Sequence, residues 1–245
     1  MKVVIQSGGK GTRLRPYTTV LPKPLMPVGP KPVLELLLTW LRRNDMRDVC
    51  ITTGHLGHLI RSFCGDGRNW DLHITYTEET EPLGTLGALR LLSDQLNSTF
   101  VVINGDILTD LNLNAFVGFH HQHRGPLTVA TARRSIRIDF GIIEDTAGRV
   151  TRFKEKPILT HIVSTGMYCM EPSVIELIPP GVPFGFDNLM HSMLKREVPV
   201  RTFLHNGLWL DIGRIEDFQR AQELAFDEEA PAFETTPAAF ETAAA

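Results

Sequence analysis

The sequence predicts an α/β fold: a mostly parallel, mixed sheet flanked by helices on both sides, in a single domain. Three observations carry that expectation. Short apolar runs alternate with amphipathic segments through the first half of the chain. The second half changes to short strands with tight turns, including a hairpin loop at Asp145-Thr146-Ala147-Gly148. A chain of 245 residues, 42% of them hydrophobic, is long enough for one large core.

Residues 2–6 form an apolar run, as in a strand buried on both faces. Further strands are expected at 48–53, 72–76 and 99–104. Between them, helices are expected at 33–43, 57–63, 85–96 and 112–121. The first of these puts Leu34, Leu37, Leu38 and Leu41 on one face and ends on Arg42 and Arg43, cations that suit a helix C-terminus. Residues 127–134, 140–144, 149–155 and 162–169 read as strands, and 172–178 and 186–195 as helices. Strands at 200–204 and 207–210 lead into a last helix at 215–226. The later strands are expected to extend the main sheet and floor a second substrate site. Residues 227–245, rich in Ala, Glu, Pro and Thr, lack the apolar content to order themselves and read as a tail.

Composition narrows the partners. The net charge of −3 gives no basic balance, so nucleic acid is not expected. No apolar run reaches the roughly 18 residues needed to cross a membrane. Met1-Lys2 enters a strand directly, without a signal-peptide layout. The three cysteines, Cys50, Cys64 and Cys169, have no metal-ligand spacing. Together these point to a reducing cytoplasm. His120-His121-Gln122-His123 looks metal-like, but polar histidines at a helix end account for it better.

The first strand ends at Gly8-Gly9-Lys10-Gly11-Thr12-Arg13. Glycines let backbone N–H groups approach a polyphosphate, and Arg13 and Lys23 add full positive charge. The spacing matches neither the Walker loop nor the dinucleotide fingerprint, since position 14 is Leu14. The bland alternative is a tight strand-to-helix turn.

The blocks GGKGTRL at 8–14, PKPLMPV at 22–28, EPLGTLGAL at 81–89, NGDIL at 104–108, EKP at 155–157, TGMY at 165–168 and WLDIG at 209–213 occur in family order. With them the chain resembles the sugar-1-phosphate nucleotidylyltransferases, also called nucleotide-sugar pyrophosphorylases. It is most similar to their mannose-1-phosphate guanylyltransferase branch. The resemblance implies a Rossmann-like, glycosyltransferase-A-like domain over 1–226, with a nucleotide half at about 1–125 and an acceptor half at about 126–226. It implies transfer of a nucleotidyl group from a nucleoside triphosphate to a sugar 1-phosphate, with release of pyrophosphate. It also leaves open a homo-oligomer.

Roles follow from the resemblance. Gln6, Ser7, Gly8, Gly9, Gly11 and Thr12 are the expected nucleotide-binding turn, with Glu79, Gly84 and Thr85 completing the base pocket. Arg13 is expected to grip the departing pyrophosphate and Lys23 to bridge the reacting phosphates. Asp106 and Asp211 are the implied ligands of Mg²⁺; a turn aspartate and a helix N-cap are their bland alternatives. Gly141, Glu155, Lys156 and Gly166 are the implied sugar-phosphate site, against the alternative of an exposed, solubilising Lys/Glu edge.

A carboxylate at Glu79 accepts the two adjacent donors of guanine, which favours GTP. Alternatives remain: glucose 1-phosphate with UTP, dTTP or ATP; a non-catalytic nucleotide-sugar-binding relative; or a sugar-transferring enzyme, which would need an Asp-x-Asp that Asn104-Gly105-Asp106 does not provide. Three departures from the family pattern bear on substrates. Gln6-Ser7 replaces the usual Leu-Ala, Ser164 replaces an asparagine near the sugar, and Asp139 precedes the aromatic-glycine pair Phe140-Gly141. The C-terminal β-helix domain of many relatives is not expected in this stretch. The acceptor is therefore left as mannose 1-phosphate or a related hexose, heptose or cyclitol phosphate.

Overall fold

The computed structural model describes residues 1–226. The expected tail at 227–245 lies outside the described residues.

The expected strands and helices occur in their expected order, and three short strands, β2, β3 and β7 below, are additional. They are β1 (Lys2–Ser7), β2 (Pro27–Val28), β3 (Lys31–Pro32), α1 (Val33–Arg43), β4 (Asp48–Thr53), α2 (Gly57–Cys64), β5 (His73–Glu78) and α3 (Gly84–Gly87). Next come β6 (Phe100–Asn104), β7 (Ile107–Thr109), α4 (Leu113–His123), β8 (Leu127–Arg137), β9 (Ile142–Thr146), β10 (Arg149–Lys154) and β11 (Ile158–Met170). The chain continues through α5 (Phe186–Lys195), β12 (Val200–His205), β13 (Trp209–Asp211) and α6 (Ile215–Ala225).

The main sheet has seven strands in the order β12-β8-β11-β6-β1-β4-β5. Strands β6, β1, β4 and β5 run parallel, as do β8 and β12. Only β11 runs antiparallel to its neighbours, so the sheet is mixed but mostly parallel. Each face buries its own core. One side gathers Val3, Ile5, Leu34, Leu38, Ile51 and Phe116. The other gathers Val4, Leu86, Leu89, Phe100, Val102 and Tyr168. The odd and even residues of β1 feed opposite cores, as strand alternation requires.

Three expectations need correction. Residues 85–96 are not one α-helix: α3 stops at Gly87 and a 3₁₀ turn runs from Ala88 to Leu92. Leu86, Leu89 and Leu92 are fully buried at three-residue spacing, which a 3₁₀ helix stacks on one line. Residues 172–178 are likewise 3₁₀, over Pro172–Leu177. The second-half strands do not all extend the main sheet. β9 and β10 pair only with each other, and β13 pairs with β7 as a separate ribbon. That small ribbon, not a longer main sheet, sets the site described next.

Candidate active site

The parallel strands deliver their C-terminal ends to one edge of the sheet, where an open α/β fold collects ligand groups. β1 arrives with Gly8 and β6 with Gly105-Asp106. Gly11, at a φ of +59°, packs tightly on Thr18 and on the Cβ of Lys23. A side chain at Gly11 would be strained and would collide with Thr18. The Gly11 carbonyl accepts hydrogen bonds from Leu14 N–H (3.0 Å) and from Thr18 Oγ1 (2.8 Å). The glycine turn is thus pinned to the segment carrying Lys23. Among the described residues, the N–H groups of Gly9, Lys10, Gly11 and Thr12 donate no hydrogen bond.

Beneath this turn the two aspartates meet. In the ribbon, Asp211 pairs with Ile107, the residue after Asp106, and Ile212 N–H donates to Asp106 O (2.8 Å). The Lys23 ammonium hydrogen-bonds Asp106 Oδ2 and stands 3.7 Å from Asp211 Oδ1. Burial pushes the Lys23 pKa down to about 8; Asp211 opposes the shift and Arg13 adds to it. A half-buried cation therefore sits between two half-buried carboxylates, with Arg13 close enough to be felt.

Asp211 is not a helix cap: its Oδ1 accepts from Gly213 N–H (2.9 Å) and Arg214 precedes α6. Its backbone N–H donates to Asp217 Oδ2 (3.0 Å), and Asp217 takes a bidentate grip from Arg134 at 2.6 and 3.0 Å. Asp217 is only 4% exposed. It fixes the strand that presents Asp211, yet in the sequence it looks like any first-turn helix acid. The signal that distinguishes it is a bonding partner on β8, which spacing alone does not reveal.

On the other side of the glycine turn lies Glu79. One of its carboxylate oxygens sits where a Cβ on Gly8 would be, and the other accepts from Leu83 N–H (3.0 Å). Burial raises the Glu79 pKa, against the pull of the Leu83 N–H. Gly84, at a φ of +74°, lies against the backbone of Phe184, and Thr85 Oγ1 accepts from Phe186 N–H (3.1 Å). Gln6 and Ser7 close the end of β1. The amide oxygen and nitrogen of Gln6 and the hydroxyl of Ser7 are buried without hydrogen-bond partners.

The residues expected on the acceptor side separate into two groups. Gly141 lies against the Phe153 ring and Glu155 Oε2. Glu155 and Lys156 are exposed, with Lys156 at a φ of +40°. Gly166, by contrast, is buried at a φ of +79° against the Asn104 side chain, where β11 slips register against β8. Asn104, two residues before Asp106 at the end of β6, carries no role among the expected site residues.

The expected helix-end histidines also divide. His120 is buried at 1% exposure, bonded to Thr128 Oγ1 (2.8 Å) and Glu171 Oε1 (3.1 Å). His123 stacks on Phe119. Among the described residues, no group of three or more His, Cys, Asp or Glu side chains converges as a metal site. Cys50, Cys64 and Cys169 are buried and unpaired, and no helix of the described residues is long and apolar enough to span a membrane.

The chain is thus an α/β protein whose mixed, mostly parallel sheet carries at one edge a glycine turn, a half-buried lysine and two carboxylates, one after β6 and one on the β7–β13 ribbon. The chain belongs to the nucleotidyl transferase family, whose profile matches residues 2–228. It is 32% identical to a UTP–glucose-1-phosphate uridylyltransferase of Synechocystis, over 90% of this chain and 62% of that one. It is 31% identical to a mannose-1-phosphate guanyltransferase of Saccharomyces cerevisiae, over 89% of this chain and 63% of that one. The chain thus spans a little under two thirds of the length of these curated relatives. A solved protein of Bacillus anthracis, provisionally described as a glucose-1-phosphate thymidylyltransferase in complex with a sucrose, superposes with a TM-score of 0.73 at 29% identity. That alignment covers 93% of this chain and 96% of the other.

Proposed function

We propose that this chain transfers a nucleotidyl group from a nucleoside triphosphate to a sugar 1-phosphate, with release of pyrophosphate. GTP is the favoured donor. Mannose 1-phosphate, or a related hexose, heptose or cyclitol phosphate, is the acceptor. The observation that carries this reading is the Lys23 ammonium lodged between Asp106 and Asp211 beneath the glycine turn.

The chemistry asks for charge management rather than a base. A phosphate monoester is largely dianionic near neutrality, its second pKa being about 6. It can attack the α-phosphorus in line without losing a proton to the protein. Catalysis then rests on positioning and on charges held in place. The unbonded N–H groups of the glycine turn face no internal acceptor and suit phosphate oxygens. Arg13, exposed beside Lys23, has the guanidinium fork to hold the leaving pyrophosphate. Lys23, held between the two carboxylates, has the ammonium to bridge the reacting phosphates.

The donor set fits Mg²⁺. Asp106 and Asp211 offer only oxygens, and they already converge on one cation. Two protein carboxylates are the usual share when phosphates and water complete a magnesium shell. When bound, Mg²⁺ would neutralise triphosphate charge, with Asp106 and Asp211 as its protein ligands.

The nucleotide half, about 1–125, supplies the turn, Lys23, Asp106 and Glu79. The acceptor half, about 126–226, supplies Asp211, and Gly141, Glu155, Lys156 and Gly166 for the sugar phosphate. Unpaired buried thiols suit a cytoplasmic setting. A second reading, glucose 1-phosphate with UTP, is favoured by the name of the Synechocystis relative.

Pyrophosphate release should be measured for ATP, CTP, GTP, UTP and dTTP against mannose, glucose and heptose 1-phosphates and a cyclitol phosphate. Turnover that needs a triphosphate, a sugar phosphate and Mg²⁺ together supports the proposal. Silence across every pairing, in folded protein, overturns it.

A further inference from the structure

The β9–β10 hairpin is a ribbon with one face left uncovered. Its two strands pair only with each other, and a two-stranded ribbon alone is marginally stable in water. Among the described residues, half of the large apolar side chains that stand exposed fall within residues 136–162. Solitary exposed hydrophobic groups are ordinary, but a concentration of them in one element marks an interaction surface.

Register sorts the ribbon into two faces. Ile143 pairs with Phe153 and Asp145 with Val150, so Ile143, Val150 and Phe153 share a face. Each of the three is between 58% and 60% exposed. Glu144 pairs with Arg152 and Ile142 with Lys154, so the opposite face is largely charged, with Arg152 3.7 Å from Glu144. Such a division is the mark of a strand pair buried on one side only. Strand β10 also bulges between Val150 and Arg152, which twists its edge away from further strand pairing. A neighbour is therefore received face on face rather than edge on edge.

Charge and size decide which neighbour fits. Residues 142–155 hold three acids, Glu144, Asp145 and Glu155, and three bases, Arg149, Arg152 and Lys154. A neutral surface gives no electrostatic hold to the stretch 227–245, which has five acids and no base. It meets its own copy without net repulsion, as a two-fold contact requires. The adjoining β8–β11 ribbon adds Ile158 and Ile162, exposed on one face beside the Ser135–Thr160 hydroxyl pair. Five side chains of this size, covered on each of two chains, remove on the order of 1,000 Å² of surface, the lower limit for a specific interface.

We infer that the apolar face of the β9–β10 ribbon is a homodimer contact, in which two copies related by a two-fold axis stack Ile143, Val150 and Phe153 on the same side chains of the other chain. Gly141, with Phe153 and Glu155 against it, marks the inner end of the face. The contact runs outward from Phe153 and leaves the expected acceptor residues at its margin.

The test is sedimentation velocity of the full chain across about 1–100 µM, with hydrogen exchange of the β9 and β10 amides at both ends of that range. Wild type should associate to a dimer, and the hairpin amides should exchange more slowly at the higher concentration. Ile143→Lys puts a charge on the face. The double variant Ile143→Thr/Val150→Thr removes apolar groups but keeps branched side chains suited to a strand. Each should weaken dimerisation at least about tenfold, since every loss counts once per chain. Leu194→Lys, at an exposed position on α5, is the control and should dimerise like wild type. A wild type that stays monomeric, a dimer that tolerates both ribbon variants, or one that Leu194→Lys breaks as readily would each overturn the inference. So would hairpin amides protected equally at every concentration, because the cover would then belong to the same chain. Pyrophosphate release is assayed separately: a monomer with full turnover removes this contact and leaves the proposed function intact, and an inactive dimer does the reverse.

Discussion

Lys23 and the two aspartates form a charge arrangement that is stable only as a set. Removing the ammonium leaves Asp106 and Asp211 facing each other without compensation, which for a buried pair costs up to about 3 kcal/mol. Lys23→Met should therefore melt lower than wild type in chelator and recover much of the loss when Mg²⁺ is added. A thermal shift indifferent to Mg²⁺ would contradict that. Asp106→Asn and Asp211→Asn should each lower turnover by about 10²-fold or more, with the far-UV circular dichroism spectrum unchanged. Both aspartates were legible because each sits at the centre of a short block, NGDIL or WLDIG. Gln6 was legible only as a departure from a family habit. That its amide goes unbonded depends on the neighbours of β1, which a linear string does not display.

Among the elements, α6 shows how a helix can serve a distant strand. Its first-turn Asp217 ties Arg134 of β8 to the backbone of Asp211 on β13. Asp217→Ala would leave Arg134 without its partner and should cost about 3 kcal/mol or more in urea denaturation. It should also lower kcat, because Asp211 loses its brace. A variant destabilised to that degree with full kcat would show that β13 needs no such support.

Helix α4 makes a different point. His120 was expected to be a polar helix-end group and is instead enclosed by Thr128 and Glu171. Burial lowers its pKa, against the pull of Glu171. In the unfolded chain it takes up a proton as pH falls through about 6.5. The folded chain does so only at lower pH, so unfolding is increasingly favoured across that window. The unfolding free energy should fall from pH 7 to pH 5, and His120→Gln should lose less over the same range. Parallel pH profiles for the two proteins would contradict this. Periodicity located α4 well, but it could not show which of three neighbouring histidines faces the core. Nor could it separate α-helix from 3₁₀ at Ala88–Leu92, where the leucine spacing serves both.

For the whole molecule, alternation of apolar strands and amphipathic helices was enough to read the mixed, mostly parallel sheet. Parallel strands buried on both faces leave the plainest signal a sequence can carry. The hairpin at 145–148 was legible and pairs β9 with β10; what failed is the expectation that the later strands join the main sheet, since nothing local says that this hairpin stands apart or that β13 joins β7. The β7–β13 ribbon is the consequential case, since it brings a residue from each half of the chain to one point.

That convergence is the central claim, and it is tested most directly by counting bound ions. Mn²⁺ binding should be measured by electron paramagnetic resonance in the presence of a non-hydrolysable nucleoside triphosphate analogue. The account predicts one nucleotide-dependent ion per chain, with affinity reduced about tenfold or more by Asp106→Asn and also by Asp211→Asn. Wild-type affinity in either variant would contradict a shared site.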